Sequence, residues 1–164
     1  MNAIIEKSDT KMNIGISDEH RETIAKALGR LLANSYTLYL KTQNYHWNVT
    51  GMNFHALHEM FEEQYTELAG AIDEIAERIR ALGHFAPGSF KAFEKISSVT
   101  DEDEVPDERS MVQNLVVDNE TVIRISREVL SACENAGDES TLDLVTERLR
   151  NHSKVAWMLR SHLQ

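Results

Sequence analysis

Long stretches without proline are the feature that most limits how this chain can fold. The sequence has only two prolines, Pro87 and Pro106, in 164 residues. Because proline breaks helices, the segments outside this pair can be helical throughout. Apolar residues recur in them at intervals of three and four, as on one face of an α-helix. We predict four long helices, over about residues 17–47, 53–82, 107–136 and 138–163.

The predicted helices have recognisable ends and apolar seams. Ser17 or Asp18 is the expected N-cap of the first helix, Gly83 follows the second and Gly137 follows the third. Each seam is expected to face a shared core. The seams are Ile24, Leu28, Leu31, Leu38 and Tyr45 in the first helix, Val112, Leu115, Val116, Val122, Ile123 and Leu130 in the third, and Leu142, Val145, Leu149, His152, Ala156, Leu159 and Leu163 in the fourth.

The longest connection falls between the second and third helices, and its middle, SFKAFEKI, predicts a short helix of its own. A four-helix bundle with one long crossover is the ferritin-like arrangement. The sequence therefore predicts an all-α, ferritin-like four-helix bundle over residues 17–164, preceded by a flexible N-terminal tail at residues 1–16. Such bundles serve many functions, so the fold alone does not decide the function.

Composition limits the class of protein. A net charge of −10 argues against a body that binds nucleic acid through its surface. No stretch approaches the ~20 apolar residues of a membrane span, and the start of the chain lacks the apolar run of a signal peptide. The single cysteine, Cys133, cannot form an internal disulfide. We expect a cytoplasmic protein.

The second helix carries two pairs of side chains of the types that bind metals. His58 and Glu62 are four residues apart, as are Asp73 and Glu77, so each pair shares a helix face. Eleven residues separate the inner members, which leaves an angular offset of only about 20°. From His58 to Asp73 the helix rises roughly 22 Å, whereas the metals of a dinuclear site lie only ~3.5–4 Å apart. One helix therefore cannot bring both pairs to one centre.

Two copies of this helix, packed antiparallel about a twofold axis, would bring the pairs together and form a site shared between subunits. An ordinary ferritin-like site within one bundle uses Glu-x-x-His pairs, and none of the seven histidines has a glutamate three residues before it. His46, at the end of the first helix, can fold back near His58. Two imidazoles with three carboxylates suit iron(II), zinc or manganese. A polar helix face in solvent is the alternative interpretation of these residues.

The stretches HWNVTGMNFHALHEMFE and IDEIAERIRALGHFA resemble the two signature stretches of the Dps family, the DNA-binding proteins from starved cells or mini-ferritins. The resemblance covers nearly the whole chain. It implies a hollow homododecamer that oxidises iron(II), preferably with hydrogen peroxide, and stores the iron(III) mineral, which protects against oxidative stress. The implied ferroxidase ligands are His46, His58 and Glu62 of one subunit with Asp73 and Glu77 of the partner subunit.

The resemblance implies further roles. Trp47 resembles the family tryptophan that traps oxidising equivalents near the site. Many relatives have aspartate at the position of Glu62, and the longer glutamate alters the binding of the second, weaker iron. The acids near the start of the fourth helix resemble those that line iron pores, although acids there also favour the helix macrodipole. These acids are Asp138, Asp143 and Glu147.

A structural, DNA-compacting protein of starved cells is the alternative function. In the family, DNA binding often depends on a flexible, lysine-rich N-terminal tail. Here residues 1–17 hold Lys7 and Lys11 against Glu6 and Asp9. Because phosphate contacts supply most non-specific affinity, we expect DNA binding to be weak or absent. A third hypothesis is a metal-free interaction module built on the same bundle.

Overall fold

The computed structural model describes residues 5–9 and 11–164. These residues form five helices and no strand. The four long helices and the short one in the long connection confirm the predicted all-α bundle, and the predicted bounds agree to within two residues. No helix among them has both the length and the apolar character that crossing a membrane requires. The helices are α1 (Asp18–Asn48), α2 (Phe54–Ala81), α3 (Phe90–Ile96), α4 (Glu108–Ala136) and α5 (Glu139–Ser161).

The long helices are arranged as two hairpins. α1 packs against α2, α4 packs against α5, and the hairpins are joined mainly through contacts of α1 with α4. The short α3 lies against α1. The connection that contains α3 leads from the end of α2 to the start of α4, which is the single long crossover that the sequence predicts.

Side-chain caps explain where the helices begin. The Ser17 hydroxyl accepts a hydrogen bond from the His20 backbone N–H at 3.3 Å, so Ser17 and not Asp18 is the N-cap of α1. Asp107 caps α4 in the same way, since its carboxylate accepts from the Ser110 N–H at 2.9 Å. Gly137 ends α4 with a φ of +65°, a backbone conformation that glycine adopts at no steric cost.

The predicted core is confirmed in α1 and shifted in α4. The five seam residues of α1 are almost completely buried. In α4, Val112, Leu115, Val116 and Val122 are also buried. Ile123 and Leu130 are only half-buried, whereas Ile125, Val129 and Cys133 are buried and were not in the predicted seam. The difference arises because α4 packs against α1 and α5 at once, so its buried stripe is wider and centred elsewhere.

Polar groups in the interior are paired across helices. The Lys41 ammonium of α1 lies 2.7 Å from the Asp118 carboxylate of α4, and both side chains are buried. Burial raises the pKa of Asp118, although the Lys41 charge opposes the change. His152 of α5 is hydrogen-bonded to the Asn119 side chain at 2.8 Å. His152 thus lies in the core, as its place in the predicted seam of the fourth helix indicates.

Residues 5–9 lie against the end of α2. The Ser8 backbone N–H and hydroxyl both donate to the Gly83 carbonyl at 2.9 Å, and the Phe85 N–H donates to the Glu6 carbonyl at 2.8 Å. Lys7 forms an ion pair with Asp18 at 2.6 Å. Residues 1–4 and 10 of the predicted tail lie outside the described residues, and the flexibility of the tail stays a prediction.

Candidate metal centre

The turn between α1 and α2 determines where His46 and His58 lie. Gly51 has a φ of +124°, which strongly favours glycine. A Cβ on Gly51 would lie 2.4 Å from a carboxylate oxygen of Glu108 at the start of α4. That carboxylate accepts hydrogen bonds from the Asn53 backbone N–H at 3.2 Å and the Asn53 side chain at 3.0 Å. The turn is therefore tied to α4, which fixes how α2 leaves α1.

His46 and His58 face each other across this turn. Their rings are stacked with centroids 3.8 Å apart and planes at 18°. The Nδ1 of each histidine is 2.8 Å from the backbone carbonyl oxygen of the other. Because a carbonyl can only accept, each Nδ1 carries the proton and donates. In the neutral rings both Nε2 atoms therefore keep a free lone pair, which is the form that binds a metal ion.

Aromatic residues hold the histidine pair in place. His46 is buried and His58 is half-buried. Tyr65 meets the His46 ring edge-on at a centroid distance of 5.2 Å, and Phe54 stacks on the His58 ring at 5.1 Å. Sequence reasoning missed both aromatic residues. Phe54 is four residues before His58 on α2, so the rule that side chains four apart are neighbours could have found it.

The three candidate carboxylates, Glu62, Asp73 and Glu77, are exposed on α2. In the part of the chain that the structure describes, none of them forms a hydrogen bond or an ion pair. Glu67 on the same helix differs, because it lies 2.6 Å from the buried Arg148 guanidinium of α5. The carboxylate of Glu67 is therefore paired within its own chain.

A single chain brings the two histidines together but not the full predicted ligand set. Within residues 5–9 and 11–164, no three His, Cys, Asp or Glu side chains lie close enough to hold one metal ion. Glu62 follows His58 by one helical turn, whereas Asp73 and Glu77 lie toward the other end of α2. In one chain the histidine pair and the distal carboxylates are thus at separate places.

The three predicted pore acids fall into two groups. Asp138 is buried, caps α5 through Thr141, and forms an ion pair with Arg78 at 2.8 Å. Burial raises the pKa of Asp138, but the hydrogen bonds from Thr141 and Arg78 outweigh it and hold the pKa below its ordinary value. Asp143 and Glu147 instead line an open depression between α2 and α5. Only these two acids face solvent, so Asp138 has a structural role in this chain.

Trp47 directly follows His46 at the end of α1, but its side chain points to solvent and is 62% exposed. Among the described residues its ring stacks on no other aromatic ring. His55, three residues before His58, lies on the surface 3.4 Å from Glu59. Neither residue belongs to the packed histidine pair.

Comparison with known proteins places this arrangement in a family. The model of the ferritin-like domain matches residues 25–164. The chain is 40% identical to an uncharacterized low temperature-induced protein of Nostoc sp. over 156 residues, which cover 94% of this chain and 87% of that protein. It is 33% identical to a DNA protection during starvation protein of Porphyromonas gingivalis, over 90% of this chain and 93% of that protein.

Comparison with solved structures leads to the same family. The crystal structure of a Dps protein from Vibrio cholerae O1, described as a member of a superfamily of ferritin-like diiron-carboxylate proteins, superposes with a TM-score of 0.90 at 35% identity, covering 95% of this chain and 100% of that one. An archaeal Dps homologue from Halobacterium salinarum superposes with a TM-score of 0.88 at 30% identity, covering 100% of this chain and 90% of that one. The chain belongs to the Dps family of ferritin-like proteins.

Proposed function

We propose that this chain is the subunit of a ferroxidase and iron store. It oxidises iron(II), preferably with hydrogen peroxide, and deposits the iron(III) mineral inside a hollow homododecamer, which limits oxidative stress. The observation that carries the proposal is the His46–His58 pair, whose reciprocal hydrogen bonds leave both Nε2 atoms free to bind metal. The relationship to a Vibrio protein of the diiron-carboxylate superfamily supports it.

The oxidation site is shared between two subunits. His46, His58 and Glu62 come from one chain, and Asp73 and Glu77 of the partner subunit complete the set. The carboxylates on the exposed face of α2 support this assignment, because no group among the described residues of their own chain pairs with them. Antiparallel contact of α2 with its copy about a twofold axis is isologous, so each pair of subunits forms two equal sites.

The ligand types suit redox chemistry. Two imidazoles with three carboxylates bind iron(II) and also accept zinc or manganese, while the carboxylates favour iron in its harder, oxidised state. Hydrogen peroxide takes up two electrons, and two iron(II) ions at one site supply one each. No hydroxyl radical is then released, and iron(III) hydrolyses and nucleates in the cavity.

Two accessory roles belong to the same proposal. Trp47 traps oxidising equivalents that escape the site, since it follows His46 directly and remains accessible to solvent. Asp143 and Glu147 attract iron(II) toward a pore, because they line an acidic depression that also contains Glu74 and Glu77. Asp138 is left out of the pore, since its carboxylate is buried against Arg78.

We infer that DNA binding by this chain is weak or absent, although several relatives are named DNA protection during starvation proteins. The chain carries a net charge of −10, and Lys7, one of the two lysines of the tail, is paired with Asp18. The tail therefore offers few positive charges for phosphate contacts. A gel shift that gives tight complexes at physiological salt would contradict this inference. We place the protein in the cytoplasm.

Iron(II) oxidation with peroxide under anaerobic conditions tests the ferroxidase assignment. We expect the His46→Ala/His58→Ala double variant to lose at least about tenfold in initial rate, because metal ligands and their partners have effects of this size or larger. The matched control is His20→Ala/His162→Ala, which removes two exposed histidines away from the site. Equally fast oxidation by all three proteins would overturn the ligand assignment, and a stable 18.7 kDa monomer would overturn the assembly.

A further inference from the structure

Three of the four tyrosines form a continuous row of rings that leads away from His46. The Tyr65 ring meets the His46 ring at a centroid distance of 5.2 Å. Tyr39 lies 6.0 Å from Tyr65, and Tyr36 lies 5.8 Å from Tyr39. These are ordinary separations for aromatic rings in contact. An unbroken chain of oxidisable rings thus runs along α1 and α2 from the proposed oxidation site.

The hydroxyl groups of this row distinguish it from simple packing. Tyr45, the fourth tyrosine, is completely buried, and its hydroxyl bonds to Glu102 at 3.1 Å and Asn114 at 3.0 Å. The hydroxyls of the three row tyrosines form no hydrogen bond with any described residue, and all three side chains are half-buried. Phenylalanine would fill the same space, so packing does not explain the phenol groups. Besides hydrogen bonding to water, the phenols add the ability to lose an electron and a proton.

We propose that the row formed by Tyr65, Tyr39 and Tyr36 supplies an electron to the oxidant when only one iron(II) occupies the site. This inference rests on the proposed ferroxidase function. Hydrogen peroxide needs two electrons and two protons to form two water molecules. One iron(II) gives one electron and becomes iron(III). Tyr65 gives the second electron together with its phenolic proton and becomes a tyrosyl radical, while solvent supplies the other proton.

The radical then moves outward along the row. Tyr39 returns an electron and a proton to Tyr65, and Tyr36 does the same for Tyr39. A second iron(II) finally reduces the tyrosyl radical to tyrosine, with uptake of one proton, and itself becomes iron(III). The overall stoichiometry is two iron(II) per peroxide, as for a fully loaded site. The row therefore removes the need for both irons to be bound at the same moment.

The residue at position 62 gives a reason why an electron from the tyrosine row is useful. Glu62 stands where many relatives have the shorter aspartate, and the resemblance to the family implies that the longer side chain alters binding of the second, weaker iron. Whenever the site holds a single iron(II), that iron supplies only one of the two electrons that hydrogen peroxide needs. The Tyr65 ring beside His46 is the nearest member of the row to the proposed site and so is the first donor.

Electron paramagnetic resonance on freeze-quenched samples tests the relay. The assembled protein receives one iron(II) per site and one equivalent of peroxide under anaerobic conditions, with ring-deuterated tyrosine incorporated to distinguish tyrosyl from tryptophanyl radicals. We expect a tyrosyl signal in the wild type and a several-fold weaker one in Tyr65→Phe. Tyr39→Phe should confine the radical to Tyr65 and change the line shape. Tyr45→Phe, the matched control, should keep the wild-type signal.

The outcomes separate the relay from the proposed function. If the wild type oxidises no iron(II), the ferroxidase proposal fails. If it oxidises iron(II) but gives no tyrosyl signal, or if Tyr65→Phe and Tyr39→Phe keep the wild-type signal, the relay alone is wrong. A radical that is insensitive to deuterated tyrosine and disappears in Trp47→Phe would also overturn the relay, because it would place the donor at the tryptophan. Circular dichroism confirms that each variant is folded.

Discussion

His46, His58 and His152 each have one hydrogen-bonded ring nitrogen, but the surroundings of the second ring nitrogen differ. The free Nε2 atoms of His46 and His58 lie at the α1–α2 corner, and Glu62 follows His58 on α2 by one helical turn. The Nε2 of His152 is buried and has no hydrogen-bond partner among the described residues, and His152 lines a cavity of about 10 Å³, which holds at most one water molecule. His152 is therefore a structural residue, and the other two are candidate ligands.

The buried His152 predicts a loss of stability in acid. Burial, with a smaller contribution from the positive charge of Arg148, lowers the pKa of His152 to about 3. In the unfolded chain the pKa is about 6.5, so between these values the unfolded state binds more protons. The free energy of unfolding should therefore fall with decreasing pH below about 6.5, by up to ~1.4 kcal/mol per pH unit from this residue.

Urea unfolding checks this dependence between about pH 7 and pH 5. A fixed protein concentration keeps any contribution of subunit association to the apparent stability comparable between the samples. His152→Gln should flatten the slope, whereas His20→Gln, which changes an exposed histidine, should keep it. Parallel slopes for wild type and His152→Gln would show that His152 does not carry the effect.

Variants of Asp138 and Asp143 test whether each acid stabilises the fold or takes part in iron uptake. Asp138→Ala removes the cap of α5 and leaves Arg78 without its carboxylate, so we expect a loss of about 1–3 kcal/mol in the free energy of unfolding. Asp143→Ala should change stability by less than about 0.5 kcal/mol, as exposed substitutions usually do. It should instead slow iron(II) uptake into the assembly. Denaturant midpoints and iron-uptake rates measured on both variants separate the roles, and an unchanged uptake rate in Asp143→Ala would exclude it from the pore.

At the scale of the helices, sequence reasoning predicted what local patterns encode. Long apolar seams, capping residues such as Ser17 and glycines such as Gly137 are local signals, and the helix bounds follow from them. Contacts between distant segments have no local signal. The bond from Asn53 to Glu108 and the edge-on contact of Tyr65 with His46 join residues that no spacing rule connects. The sequence therefore predicted which residues are candidate ligands but not how their rings are held.

The α1–α2 turn predicts an effect of one glycine on the histidine pair. Gly51→Ala places a Cβ at a φ of +124° and against the Glu108 carboxylate, which must move away from Asn53. We expect a loss of about 1 kcal/mol or more in stability and weaker zinc binding, since the turn sets the approach of His46 to His58. Thermal unfolding and zinc titration of the metal-free protein measure both.

Gly88→Ala is the matched control, because a Cβ there meets no atom within 4 Å and the backbone is not strained. It should leave both the unfolding temperature and the zinc affinity unchanged. Wild-type zinc affinity in Gly51→Ala would show that the histidine pair does not depend on the turn.

At the scale of the whole molecule, the proposed function gives each chain two incomplete halves of a site. The histidine pair lies near the start of α2, and the unpaired carboxylates of Asp73 and Glu77 lie toward its end. Pairing α2 with its copy in the opposite direction matches each half with its complement twice. If the subunit cannot bind the metal pair alone, as we propose, activity is a property of the assembled pair, and iron chemistry is linked to the formation of the proposed cage that stores the product.

Mixing two inactive variants tests this linkage. One variant, His46→Ala/His58→Ala, lacks the histidine half, and the other, Asp73→Ala/Glu77→Ala, lacks the distal carboxylate half. In a mixed pair one site loses both halves and the other keeps both. Random assembly of equal amounts makes half of the pairs mixed, so about a quarter of all sites are intact and co-refolding should restore about a quarter of the wild-type oxidation rate.

Two controls define the result. Each variant refolded alone should stay inactive, and combining the two after separate assembly should restore little, because the subunits then remain with their own kind. If one chain held the metals by itself, no mixture would recover any rate beyond that of its components. Recovery that depends on co-refolding therefore requires a site built from both chains, and its absence in assemblies of normal size would show that the distal carboxylates do not complete the site across the interface.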